Sequence, residues 1–267
     1  MNIAQIMTAQ PVTVRRGTTL DRAMELMDEH DIRHLPVLAD GHFQGVISNR
    51  DVLDATGWLA PRQREVLEVP EACVSSIMHN PNTAVGPGDP VTDALSPFVE
   101  GRVGCVPVVQ GGDLVGLVTE IDVLRAYTDA CRLGSIGPDE DPRIGEHLVL
   151  GPVTVEADTS GMEAAQLMRL NDVRHLPVVE GDRVIGMLSD RDICRVRGRG
   201  QLELTLVREM MSPDPQIADP EMRLSSAALI LSAERISALP VVSEGHLLGI
   251  TTTVDLMIPC ALALQKL

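Results

Sequence analysis

The chain has 267 residues, enough for one large domain or two ordinary ones, yet only two Phe, one Tyr and one Trp, so its core is built from aliphatic side chains and Met. A net charge of −16 repels nucleic acid and anionic lipid, and so few aromatics leave no stacking platform for single-stranded nucleic acid. The five cysteines, Cys73, Cys105, Cys131, Cys194 and Cys260, form no C-x-x-C pair, which argues against a disulfide framework or zinc site and fits a reducing, cytoplasmic setting.

In chain order, residues 11–14 read as an extended piece. Leu20, Ala23, Met24 and Met27 follow at the i, i+3, i+4, i+7 spacing of one apolar helix face. Apolar runs over 35–38 and 44–48 flank Asp40-Gly41 and predict a hairpin, with glycine supplying the positive φ of a tight turn. Ser48 then opens a second helix over 49–56, and residues 57–72 read as a partly helical insertion. The same order returns with an extended piece at 82–85 and a helix face of Val91, Ala94, Leu95 and Phe98, where Pro97 predicts a kink or a shortening. The next turn is Gly111-Gly112, and residues 132–143, rich in Pro, Gly and charge, read as a linker. A third copy has an extended piece at 152–155, the helix positions Gly161, Ala164, Ala165 and Met168, and a turn at Glu180-Gly181. The fourth has an extended piece at 215–218, Leu224, Ala227, Ala228 and Leu231, and a turn at Glu244-Gly245. Between them, Arg191, Arg195, Arg197 and Arg199 form a short basic cluster that reads as a solvated helix end rather than a nucleic-acid patch. The repeat begins directly after Met1, so no signal peptide is expected. No apolar run nears the ~20 residues of a membrane span, and the tail over 256–264 is short and carries Pro259.

Fixed offsets tie the four copies together. Counted from Pro36, Pro107, Pro177 and Pro240, a glycine stands nine residues on (Gly45, Gly116, Gly186, Gly249) and a hydroxyl twelve on (Ser48, Thr119, Ser189, Thr252). An aspartate stands fifteen on: Asp51, Asp122, Asp192 and Asp255. Each unit reads strand, helix, strand, strand, helix, which makes the fold class α/β (α+β). Copies one and three share R-H-L-P-V and S-x-R-D, so the chain is a duplicated pair rather than four equal units.

The hydroxyl-x-x-Asp sequence has two readings. It matches a capping box at a helix start. The same geometry offers free N–H groups and a hydroxyl to a phosphate, and a carboxylate to the hydroxyls of a ribose. The glycine before it permits either close approach of a ligand or tight packing at the strand. Arg33-His34 and Arg174-His175 are either solvated charge or a phosphate fork with a titratable neighbour. No Walker loop, G-x-S-x-G, H-E-x-x-H or Cys-His constellation is present, so no enzymatic activity is expected.

On these residues the four units resemble CBS domains (named for cystathionine β-synthase), over 1–56, 74–130, 144–197 and 206–260, and their pairs, 1–131 and 144–267, resemble Bateman modules. The architecture is similar to the gamma subunit of AMP-activated protein kinase and to stand-alone prokaryotic four-CBS proteins. The resemblance implies clefts shared between the repeats of a pair that bind AMP, ADP, ATP or a related adenosyl ligand, polyphosphates with or without Mg²⁺. It implies that the aspartate holds the ribose and the Ser/Thr meets phosphate. Carried over by position, Asp122 and Thr119 would face Thr13, Val14, Arg33 and His34, and Asp255 and Thr252 would face Thr154, Val155, Arg174 and His175. Asp51, Ser48 and Arg50 would face Ala84, Val85, Val103, Gly104 and Cys105, and Asp192, Ser189 and Arg191 would face Ile217, Ser237 and Ala238. These last two clefts lack an Arg-His partner and are expected to hold a different ligand or none. Glu120 would disfavour a polyphosphate beside Thr119. The implied role is a sensor acting on a partner protein, with a structural adaptor as the alternative, closed within one chain or paired as a homodimer.

Overall fold

The computed structural model describes residues 1–55, 72–79, 84–99, 103–197 and 201–267. All of the expected insertion over 57–72 except Ala72 lies outside them, as do residues 82–83 and Arg199. The chain divides into two compact units: Met1–Tyr127 with Met257–Leu267, and Thr128–Leu256.

In the first repeat, β1 (Thr8–Ala9) and β2 (Val14–Arg15) precede α1 (Leu20–Glu29), the hairpin β3 (His34–Ala39) and β4 (His42–Ser48), and α2 (Asn49–Ala55). The second has α3 (Leu95–Val99), β5 (Cys105–Gln110), β6 (Asp113–Thr119) and α4 (Glu120–Arg132). The third runs β7 (Val149–Leu150), β8 (Val155–Glu156), α5 (Gly161–Leu170), β9 (His175–Glu180), β10 (Arg183–Ser189) and α6 (Asp190–Arg197). The fourth runs α7 (Val207–Met210), β11 (Ser212–Pro213), α8 (Leu224–Ala233), β12 (Ala238–Ser243), β13 (His246–Thr252) and α9 (Thr253–Leu264). The mixed α/β repeat read from the sequence is the one that forms.

Local chemistry explains the helix ends. Thr19 accepts from Arg22 N at 3.3 Å and caps α1. Ser160 and Glu163 close a capping box on α5, and the bonds from Ser160 hold the Glu163 carboxyl below its usual range. Arg223 caps α8 with no side-chain bond, and Asp141 from the linker does it instead, accepting from Ser225 N at 3.0 Å and Ser225 Oγ at 2.6 Å. Pro97 shortens the second repeat's helix: residues Val91–Ala94 wind as a 3-10 turn, and the proline falls in the first turn of α3, where its missing N–H costs nothing. The third repeat's turn is shifted by one from expectation, because Glu180 still pairs with Arg183, which leaves Gly181-Asp182 as the turn, with Gly181 at φ 61°. That places it at the same distance from Pro177 as Asp40-Gly41 is from Pro36. Each hairpin carries a bulge, between Val37/Leu38, Val108/Val109, Val184/Gly186 and Val241/Val242.

The sheets contain an exchange that the repeat pattern did not suggest. β1 of the first repeat pairs with β6 of the second, and His79 of the second bridges Val46 in β4 of the first. In the other unit β7 pairs with β13 and β11 with β10. Each sheet is therefore an edge from the partner repeat, then the hairpin, then a parallel contact with the repeat's own first strand, such as Val14↔Val37 and Val155↔Val178.

Burial follows the periodicity. Leu20, Ala23 and Met27 of α1 pack with Val14, Leu35, Val37, Ile47, Val52 and Val74. Ile3, Val74, Ile144 and Val207, each thirty-three residues before a motif proline, are fully buried, so the repeat extends upstream of the first helix face. Among the described residues no helix is long and apolar enough to cross a membrane.

Candidate functional site

Each motif aspartate sits in the first turn of the helix after the hairpin, and each spends one carboxylate oxygen on its own cap. Asp51 Oδ2 accepts from Ser48 N at 2.6 Å and Ser48 Oγ at 2.7 Å. Asp122 Oδ2 accepts from Thr119 N at 2.8 Å and Oγ1 at 2.7 Å. Asp192 Oδ2 accepts from Ser189 N at 2.9 Å and Oγ at 2.6 Å, and Asp255 Oδ2 from Thr252 N at 2.8 Å and Oγ1 at 2.7 Å. The carboxylate half of the capping box is thus made in all four copies, and the hydroxyl accepts back from the aspartate N in the first, third and fourth.

The copies part company at Oδ1. Asp51 Oδ1 accepts from His79 Nε2 at 2.8 Å. Asp122 Oδ1 meets the Thr8 hydroxyl at 3.5 Å. Asp192 Oδ1 lies 3.5 Å from Arg195 of the basic cluster. The described hydrogen bonds of the Asp255 carboxylate all fall on Oδ2. Asp122 is buried, and loss of hydration raises its carboxyl above the ordinary range, partly offset by the Thr119 bonds, Arg125 and Thr8.

Thr8 and His79 were missed in the sequence. Both come from the exchanged edge, and with Val149 and Ser212 they stand twenty-eight residues before the four motif prolines. The fixed offset was a usable signal, but the residue type differs in every copy.

The glycines answer to that edge as well. A Cβ on Gly45 would lie 2.5 Å from the His79 carbonyl oxygen, and one on Gly116 would lie 2.6 Å from Met7 Sδ. Gly186 is crowded by Met211, and Gly249 by Leu148 and the Val149 carbonyl. Their smallness therefore serves packing of the partner repeat, the second of the two roles open from sequence.

The basic residues take positions beside the caps. His34 pairs in register with Ser48, and His175 with Ser189. The carbonyls of Arg33 and Arg174 accept from the first residues of α2 and α6, Asn49 N and Asp190 N, each at 3.0 Å. Arg33, His34, Arg174 and His175 are all half-buried, as are Arg50 and Arg191. The His34 ring abuts Gly104, where any Cβ would collide with it, and Gly104 precedes Cys105, the register partner of Thr119. Thus His34 is brought to the strand end that carries Thr119. Val14 and Val155 are buried and Thr13 and Thr154 half-buried at the matching first strands. The contact described on Asp122 from that segment is Thr8, not Thr13. Cys105 is buried, and its thiol is pushed up by burial and by the charges of Glu120 and Asp51, which places Asp51 of the first repeat near Cys105 of the second. Val85 is buried, Ala84 exposed and Val103 half-buried; across the other cleft Ser237 and Ala238 are buried, while Ile217 is half exposed. Among the described residues no group of three or more His, Cys, Asp or Glu side chains is arranged to hold a metal ion.

Comparison with known proteins agrees with this architecture. The family model for the CBS domain matches residues 3–57, 74–129, 147–199 and 207–258. The uncharacterized protein MJ1225 of Methanocaldococcus jannaschii is 29% identical over 96% of this chain and 97% of its own length. Its crystal structure, reported as that of a proposed archaeal homologue of the AMP-activated protein kinase gamma subunit, superposes with a TM-score of 0.80 at 25% identity, covering 97% of this chain and 99% of that one. An uncharacterized conserved protein of Pyrococcus horikoshii shares the fold, with a TM-score of 0.68 at 22% identity over 97% of this chain and all of its own. CBS domain-containing protein YhcV of Bacillus subtilis is 37% identical over 39% of this chain and 76% of its own length.

Proposed function

Because the chain belongs to the CBS-domain family, we propose that it is a regulatory protein that binds AMP, ADP or ATP in clefts between paired repeats and passes their occupancy to a partner protein. The observation that carries this reading is the divided use of the motif carboxylates. One oxygen builds the cap, and the second, at Asp122 and Asp255, keeps acceptor capacity for a vicinal diol. Asp122 is buried at a cost in hydration that raises its carboxyl, and a donor to Oδ1 such as a ribose hydroxyl offsets that cost. The likeness to MJ1225 over nearly both full lengths supports the same assignment.

In this reading Asp122 and Asp255 hold the ribose, and Thr119 and Thr252 lie beside the phosphate. Arg33-His34 and Arg174-His175 read the number of phosphates, with Mg²⁺ an optional companion of the polyphosphates. Asp51 with Arg50, and Asp192 with Arg191, form the second-rank clefts. The protein works in the cytosol and has no turnover of its own. Occupancy acts by differential affinity for two conformations, because a ligand shifts an equilibrium only by that difference.

The structural-adaptor reading has one observation in its favour: in all four copies the hydroxyl already donates to the motif carboxylate without a ligand. Calorimetric titration with AMP, ADP and ATP separates the two. Saturable binding of at least one nucleotide is expected, and no heat at millimolar ligand would favour the adaptor. Incubation with ATP and Mg²⁺ should yield no product.

A further inference from the structure

We propose that His79 closes the Asp51 cleft to ribose, so that a nucleoside is held there only when this side chain is displaced or replaced. The inference rests on the nucleotide reading of the clefts and says which carboxylate is withheld from it. Three observations converge. Both oxygens of Asp51 are taken, Oδ2 by Ser48 N and Oγ, Oδ1 by His79 Nε2 at 2.8 Å. The imidazole is aimed there by backbone, since His79 N donates to Val46 O at 2.9 Å and Val46 N to His79 O at 2.8 Å, and Gly45 lets that strand approach. Finally, the same edge position holds a weaker competitor or none in the two clefts ranked first. Thr8 reaches Asp122 Oδ1 only at 3.5 Å, and Val149 has no side-chain donor to offer Asp255.

The chemistry is a competition for one acceptor. A ribose diol needs the carboxylate oxygen that points into the cleft. Beside Asp51 that oxygen already receives a short hydrogen bond from the His79 imidazole, charge-assisted because its acceptor is a carboxylate. The side chain of His79 is 75% exposed and that of Asp51 15%, so the ring lies over the carboxylate on the solvent side. Its removal leaves the backbone bridge to Val46 in place.

The test is calorimetric titration of the full chain with AMP, for the wild type, His79→Thr, His79→Ala and His79→Thr/Asp51→Asn, with thermal melts to confirm the fold. The Thr variant installs the residue found beside Asp122, and the Ala variant removes every side-chain donor. One additional AMP site per chain is expected in His79→Ala or in both single variants, about tenfold or more tighter there than in the wild type, the scale of one charged hydrogen bond. The added site should vanish in His79→Thr/Asp51→Asn. If the wild type binds AMP and neither single variant adds or tightens a site, the inference is overturned. Absence of AMP binding in all four proteins would overturn the nucleotide reading itself, and this inference with it.

Discussion

Asp122 carries two duties that one substitution can separate. Asparagine at this position keeps a carbonyl oxygen for Thr119 N and Oγ1 but cannot carry the charge that a ribose diol binds best. Asp122→Asn is therefore expected to weaken AMP by about 1–3 kcal/mol while leaving the melting temperature unchanged or raised, as titration and thermal melts will read. The pH dependence has a definite sign. Burial raises the folded-state carboxyl above its ordinary range, so the residue's favourable share of stability is complete below about pH 4 and is lost as pH rises through the raised value. The stability gap between Asp122→Asn and the wild type should widen in favour of the variant over that interval and then level off in urea unfolding; a gap that narrows would contradict the burial argument. The hydroxyl, the aspartate and the Arg-His pairs were legible because residue type and offset recur together. Thr8 and His79 were not, because only the offset recurs while the type runs Thr, His, Val, Ser.

At the scale of elements, the exchanged edge decides how the repeats of a pair lock. Two-residue strands such as β1 and β7 carry no periodicity for a pattern to catch, and which sheet they join is settled by tertiary packing. The hairpins and the helix faces were legible because glycine turns and a 3.6-residue period leave strong marks. The third turn falls one residue later than its acidic-Gly pair suggests, at the distance from Pro177 that the other three turns keep from their own prolines. The Gly45 contact gives the edge a direct test. Gly45→Ala places a methyl against the backbone carbonyl of His79, which has little room to retreat because His79 and Val46 are bonded in both directions. A loss of about 1–3 kcal/mol in urea unfolding is expected from this overpacking, and an unchanged midpoint would show that the edge yields freely.

For the molecule as a whole, the duplication of an unequal pair is the organising fact. Each unit joins one repeat with R-H-L-P-V and S-x-R-D to one without, and the asymmetry carries through to the carboxylates, whose outer oxygens meet His79 at Asp51, Thr8 at Asp122 and Arg195 at Asp192. The acidic surface fits small-molecule binding at local basic residues better than contact with a polyanion. Nucleotide binding at the two leading clefts requires that Asp122 and Asp255 be ribose carboxylates and not caps alone. Titration of Asp122→Asn/Asp255→Asn with AMP beside the wild type, with the fold of both followed by thermal melting, tests this most directly. The wild type is expected to bind AMP and the folded double variant to lose that binding; equal AMP affinity in the two folded proteins would show both carboxylates to be caps alone.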